Sequence, residues 1–131
     1  MSETEKNSII NGPARISRAR ASIVTRPKIE SEKTLEDKLR KEVEKRGGMA
    51  IKLLSQLHRG LPDRMVLLPR GVQYFVELKT TGKKPIGLQR HCHEQLRALG
   101  FHVYVIDSTE ALDSFLYVID IEQLELANTR R

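Results

Sequence analysis

The chain has 131 residues, enough for one compact domain and too few for two independent cores. Its 23 Lys and Arg against 17 Asp and Glu give a net charge of +6, which favours a polyanionic partner over a basic one. There is no apolar run of the ~18 residues that a membrane span needs and no secretory signal pattern, so we expect a cytoplasmic protein without membrane association.

Residues 1–30 show no sustained hydrophobic periodicity and mix Ser, Asn, Gly, Pro and Arg. This composition predicts a basic, flexible N-terminal arm. Within it, residues 12–28 hold five basic side chains and no acid. The arm could contact phosphate or simply be a solvated leader, and the sequence leaves both readings open.

The first helix is predicted over residues 32–46. Ser31 can cap it, and Leu35, Leu39 and Val43 repeat every four residues until two glycines stop the pattern at 47–48. Pro69-Arg70-Gly71 is a hairpin signal, in which Pro fixes φ and Gly takes a left-handed conformation. The other predicted elements are strands 49–54, 63–68, 72–79 and 102–106, a helix with the apolar stripe Leu88, Cys92, Leu96 and Leu99, and a short helix from Ser108 to about Leu116.

The order α-β-β-β-α-β-α predicts an α/β fold in which helices flank a mixed four-stranded sheet. The hairpin strands would be antiparallel, and the last strand would be reached by a helical crossover. Residues 31–118 then form the domain, and residues 119–131 are a C-terminal segment of uncertain structure.

The hairpin brings two acids together. If Leu68 pairs with Val72, the register places Asp63 directly opposite Glu77, with Cβ atoms roughly 5 Å apart. Adjacent carboxylates repel each other unless a cation or a proton lies between them, so a bound divalent metal is the natural resolution. Lys79 shares a face with Glu77, because residues two apart on a strand point to the same side.

Three further groups could complete such a site. The backbone carbonyl of Leu78 is available as an oxygen ligand. Glu36 is predicted on the buried side of the first helix, where a carboxylate could bind a metal or water, or could lie at a partly exposed edge. Gln89, in the first turn of the second helix, could point back to the end of the sheet.

Together these residues carry a family resemblance. Gly60-Leu61-Pro62-Asp63-Arg64, the run Phe75-Val76-Glu77-Leu78-Lys79, and then Gly82 and Gln89 resemble the PD-(D/E)XK nuclease superfamily, and within it the VRR-NUC (virus-type replication-repair nuclease) branch. The resemblance covers about residues 31–118 and departs at none of the catalytic positions.

The resemblance implies a restriction-endonuclease-like core and a divalent-metal-dependent endonuclease. Asp63 and Glu77 would be the metal ligands, Lys79 would position or activate water, Glu36 would be an auxiliary acid acting through water, and Gln89 would support the site. It further implies a homodimer that cuts branched DNA such as Holliday junctions during DNA repair. The hard oxygen ligands and the abundance of magnesium favour this metal, with manganese as an alternative.

Several basic residues are candidate DNA contacts: Lys52, His58, Arg59, Arg64, Lys83 and Lys84. For most of them a plainer reading is equally open, namely a solvated loop at 58–59, a solvated turn at 83–84, and an ion pair of Lys52 with Glu36. His91-Cys92-His93 does not predict zinc, because the histidines point in nearly opposite directions on a helix and the chain has no second cysteine. Cys92 is expected in the core.

Two rival functions remain open at this stage. One is a catalytically idle DNA-binding module on the same scaffold, against which the intact Asp63, Glu77 and Lys79 argue. The other is a restriction-type or RNA-cutting nuclease.

Overall fold

The computed structural model describes residues 29–54 and 58–129. The predicted basic stretch at 12–28 lies outside these residues. Seven elements follow one another in the predicted order: helix α1 (Glu32–Lys45), strands β1 (Met49–Lys52), β2 (Arg64–Leu68) and β3 (Val72–Leu78), helix α2 (Gly87–Ala98), strand β4 (Val103–Ile106) and helix α3 (Thr109–Thr129).

The four strands form one sheet in the order β1-β2-β3-β4. The first three are antiparallel neighbours, and β4 runs parallel to β3 after the α2 crossover. The predicted mixed four-stranded sheet with flanking helices is therefore confirmed.

The hairpin has the predicted register. Leu68 pairs with Val72 and Arg64 pairs with Val76. The connection is a 3-10 turn at Pro69–Gly71, in which Arg70 (φ 66°) as well as Gly71 (φ 74°) is left-handed. This geometry determines which residues of the two strands face each other at the far end of the hairpin.

One face of the sheet carries the apolar core. Helix α1 contributes the predicted stripe, and helix α3 lies beside it. Along β3 the alternate residues Tyr74, Val76 and Leu78 point into this core. The remaining core residues are Leu35, Leu39, Val43, Val66, Leu68, Val72, Ile106, Leu112, Phe115, Leu116 and Ile119.

Helix α2 covers the opposite face, and its predicted stripe is only partly right. Cys92 is buried as expected, but Leu88 and Leu99 are exposed, and His93 is buried instead. The reason is that the strand residue below the helix is Glu77, so a polar side chain of α2 is needed there. Hydrophobic periodicity predicts burial only for apolar residues, so it does not identify a position where a helix buries a polar side chain.

Helix α3 continues to Thr129 rather than ending near Leu116. Beyond the predicted end, Ile119 is fully buried and Leu126 packs against the core. Gln123 also braces the hairpin, donating to the Pro69 carbonyl (2.9 Å) and accepting from Arg70 (3.0 Å). The C-terminal segment is therefore helical over most of its length.

The fold also includes a residue before Ser31. Glu30, assigned to the arm from the sequence, is buried and accepts hydrogen bonds from the Lys38 ammonium (2.9 Å) and the Thr109 backbone amide (2.6 Å). Its own amide donates to Thr81 Oγ1 (2.9 Å). These bonds join the start of α1, the loop after β3 and the start of α3.

Candidate active site

The site is built at the open end of the β2–β3 hairpin. Asp63 lies one residue before β2, and the register that pairs Arg64 with Val76 brings it opposite Glu77. The Asp63 carboxylate accepts a hydrogen bond (2.8 Å) from the backbone amide of Leu78, the residue directly after Glu77. The structure thus brings together the two acids that the sequence placed side by side.

The environment of Glu77 disfavours its charge. Its side chain is 1% exposed on the face covered by α2. Burial, with the neighbouring Asp63 carboxylate as the second cause, raises the pKa of Glu77 to about 8, although the Lys79 ammonium acts in the opposite direction. The charged form of Glu77 is therefore disfavoured in the metal-free protein.

Lys79 completes the motif. Its backbone amide donates to Ile106 O (3.0 Å), which continues the β3–β4 ladder one residue past the end of β3. Its ammonium lies 3.6 Å from Glu77 Oε1 and donates to Gln89 Oε1 (2.9 Å). Gln89 Nε2 in turn donates to Glu77 Oε1 (3.3 Å), so the glutamine joins the lysine to the carboxylate.

His93 is the site residue that sequence reasoning missed. Its Nε2 lies 3.3 Å from Glu77 Oε2, and both side chains are buried. Burial, together with the Arg97 and Lys79 cations, lowers the pKa of His93. Its spacing from Gln89 could have identified it, because residues four apart in a helix lie on the same face. His91 points away and is exposed.

Glu36 and Arg64 have a different arrangement from the one expected. The Arg64 guanidinium pairs with the Glu36 carboxylate and donates to the Ala50 carbonyl (3.2 Å). Arg64 is 9% exposed, so it does not present its guanidinium to DNA as predicted. The described partner of Glu36 is this arginine, not Lys52 and not the Asp63–Glu77 pair. The register of the β2–β3 hairpin explains this pairing, because it directs the Arg64 side chain to the face of the sheet that α1 covers.

An open cleft of about 550 Å³ is lined by Lys79 and Gln89 of the site, whereas Asp63 and Glu77 are not among its lining residues. Gly60, Lys83 and Lys84 also line it. Gly60 allows α2 to approach closely, because a Cβ there would lie 2.5 Å from the Leu88 carbonyl oxygen. Of the remaining predicted DNA contacts, Lys52, His58 and Arg59 are exposed.

The donor set of this site suits a hard divalent cation. Within residues 29–54 and 58–129, no group of three or more His, Cys, Asp and Glu is arranged to hold a metal. Asp63 and Glu77 offer two carboxylates, and the Leu78 carbonyl is a third candidate. Magnesium is commonly bound in this way, through one or two carboxylates with waters and substrate phosphate as further ligands.

Comparison with known proteins gives the family. No protein-family model matches the chain. It is 45% identical over 89 residues to the protein named "Putative nuclease p44" of Acyrthosiphon pisum secondary endosymbiont phage 1, a match spanning 68% of this chain and 95% of that relative. A solved structure described as "VRR_NUC domain" is 32% identical, with a TM-score of 0.63, covering 67% of this chain and 97% of the solved one. The chain belongs to the VRR-NUC family.

As a VRR-NUC protein, the chain is a nuclease-type hydrolase with a restriction-endonuclease-like α/β core. The resemblance found in the sequence is confirmed. In the part of this VRR-NUC chain that the structure describes, no helix is long and apolar enough to cross a membrane.

Proposed function

We propose that this VRR-NUC nuclease is a divalent-metal-dependent endonuclease that hydrolyses DNA phosphodiester bonds, with Asp63 and Glu77 as its metal ligands. The observation that carries the proposal is the placement of these two acids side by side: the hairpin register and the Leu78 amide hold Asp63 opposite Glu77, whose side chain is 1% exposed. Two neighbouring carboxylates destabilise each other unless a cation or a proton lies between them. A bound divalent ion would supply polarisation of the phosphate and a lower pKa for an attacking water.

We assign two roles to Lys79: it orients the attacking water, and it stabilises the negative charge that develops on the phosphate. Its ammonium is beside Glu77, lines the cleft and is held by Gln89 Oε1. A cation held in place before the reaction stabilises growing negative charge without reorganising. Gln89 then has the supporting role, because it fixes the ammonium and one carboxylate oxygen of Glu77 at the same time.

The cleft is assigned to the DNA backbone. Lys83 and Lys84 are exposed and line it, and His58 and Arg59 are exposed just before Gly60, which also lines it. Such cations could neutralise the phosphates of a bound strand. Lys52, exposed at the end of β1, is a further candidate for such a contact.

Cleavage assays with matched variants test the active site. We expect wild type to cut DNA with Mg²⁺ or Mn²⁺ and to lose activity in EDTA. Asp63→Asn and Lys79→Met should each reduce kcat by at least about 100-fold. The controls Asp113→Asn and Lys41→Met change exposed residues on α3 and α1 and should cut like wild type. Cleavage in EDTA, or full activity of the Asp63 variant, would contradict the proposal.

We further propose that the substrate is branched DNA, cut by a homodimer. A two-fold pair of sites matches the two-fold symmetry of a four-way junction, as the family resemblance implies. A panel of junction, duplex, flap and RNA substrates at one salt concentration tests the preference, and light scattering of the purified protein tests the dimer.

Preferential cutting of unbranched duplex or of RNA would instead favour the restriction-type or RNA-cutting alternative. Binding without any cleavage would favour the idle module.

A further inference from the structure

A buried histidine on α2 contacts the candidate site and has no role in the proposed reaction so far. His93 is 1% exposed, and the residue it contacts, Glu77, is also 1% exposed. An apolar side chain would fill the same space without burying a polar ring, which costs free energy unless the ring is hydrogen-bonded. The position of His93 therefore needs a reason beyond packing.

The contacts of Glu77 provide that reason. Its Oε1 accepts from Gln89 Nε2 (3.3 Å) and lies 3.6 Å from Lys79 Nζ, whereas Oε2 faces His93 Nε2 at 3.3 Å. Gln89 and His93 are one helical turn apart on α2, so one helix face holds both oxygens of the carboxylate. Each oxygen has two acceptor directions, so the His93 contact leaves a second direction on Oε2 for a metal ion.

We propose that His93 is a positioning residue, whose Nε2–H donates to Glu77 Oε2 and holds that carboxylate in the orientation in which it binds the divalent metal. The inference rests on the proposed function, since it assigns an orienting partner to a ligand of that site. Groups that hydrogen-bond a metal ligand typically change metal affinity or activity by 10- to 100-fold when they are removed. Without His93, Glu77 Oε2 would have no fixed direction and the carboxylate could rotate away from Asp63.

The test compares two substitutions of the same residue in the full chain. His93→Leu removes the donor, and His93→Gln keeps a nitrogen donor at a similar distance from the backbone. His91→Leu, on the exposed side of the same helix, is the matched control. The first readout is Mn²⁺ affinity measured by calorimetry with the metal alone, and the second is kcat and KM for cleavage. Circular dichroism and thermal unfolding establish that each variant is folded.

We expect His93→Leu to bind Mn²⁺ about 10- to 100-fold more weakly and to lose kcat with little change in KM for DNA. His93→Gln should recover most of both losses, and His91→Leu should match wild type. If His93→Leu does not fold, His93→Phe takes its place in the comparison, because it keeps an aromatic ring and removes the nitrogen donor.

Two results overturn the role of His93. One is a folded His93→Leu protein that binds Mn²⁺ and cuts like wild type. The other is a folded His93→Gln protein that is impaired as much as the Leu variant, which would leave packing of the ring as its contribution. Failure of the wild-type protein to bind Mn²⁺ would be a different outcome, because it would remove the proposed metal-dependent function itself along with this inference.

Discussion

The Asp63 carboxylate accepts a hydrogen bond from the backbone amide of Leu78 at 2.8 Å. Asp63 lies just outside β2, where a side chain could otherwise turn towards solvent. The bond ties it to the opposite strand immediately after Glu77, so the main chain of β3 holds one acid next to the other. The backbone of Asp63 is fixed as well, since its carbonyl accepts from the Leu53 amide at 2.8 Å.

Removing metal should make the stability of the protein depend on pH near neutrality. The pKa of Glu77 in the folded, metal-free protein is about 8, above its ordinary value of 4.5. Between pH 4.5 and about 8, Glu77 therefore keeps its proton in the folded protein but loses it in the unfolded protein. The free energy of unfolding should therefore fall as pH rises from about 4.5 to 8, by at most about 1.4 kcal/mol per pH unit. Urea unfolding in EDTA at several pH values measures this slope.

The variant Glu77→Gln is the control for that experiment, because the amide does not titrate. It should have a flatter profile than wild type over the same range, and it should also lose metal-dependent cleavage. Added Mg²⁺ should stabilise wild type more than the variant at pH 8. Equal pH slopes for the two metal-free proteins would contradict the assignment.

Lys83 and Lys84 should contribute to DNA affinity rather than to the chemical step. Changing both to Ala removes two exposed cations from the wall of the cleft. We expect the log–log dependence of DNA affinity on salt to become shallower by about 2, since each phosphate contact contributes roughly 0.9. KM should rise and kcat should stay within a few-fold of wild type. Lys41→Ala, on α1, should leave the salt slope unchanged.

Arg64 should matter for stability and not for DNA affinity. Its guanidinium is buried against Glu36 and the Ala50 carbonyl. We expect Arg64→Met to lower the free energy of unfolding by about 1 to 3 kcal/mol, because two partners lose a charged donor. The salt dependence of DNA binding, measured by fluorescence anisotropy, should be the same as in wild type. A shallower salt slope would restore Arg64 to the DNA-binding residues.

Glu30 should stabilise the fold except in strong acid. Hydrogen bonds from the Thr109 hydroxyl and then from Lys38 are the main causes that hold its pKa at about 2. This pKa is below the ordinary 4.5, so the stabilisation is present above about pH 4.5 and is lost as pH falls towards 2. At pH 7, Glu30→Gln should cost about 1.5 to 3 kcal/mol in urea unfolding. Asp113→Asn, which changes an exposed acid, should cost little.

The sequence by itself determined the order of the elements and the pairing of β2 with β3. Two of the sequence signals depend only on residues close together in the chain. They are the four-residue repeat of Leu35, Leu39 and Val43 and the turn at Pro69–Gly71, and both are present in the folded structure. The turn sets the register, and the register together with the two-residue repeat of a strand brings Asp63, Glu77 and Lys79 to one place.

Only the tertiary structure decided which side chains meet between elements. Three outcomes depend on which helix covers which face of the sheet. Glu36 faces Arg64 rather than the acidic pair, α2 buries His93 rather than Leu88, and α3 extends to Thr129. Periodicity marks the buried side of a helix but does not name its partner. A buried polar residue such as His93 is explained only by the charged group across from it, and that group is distant in sequence.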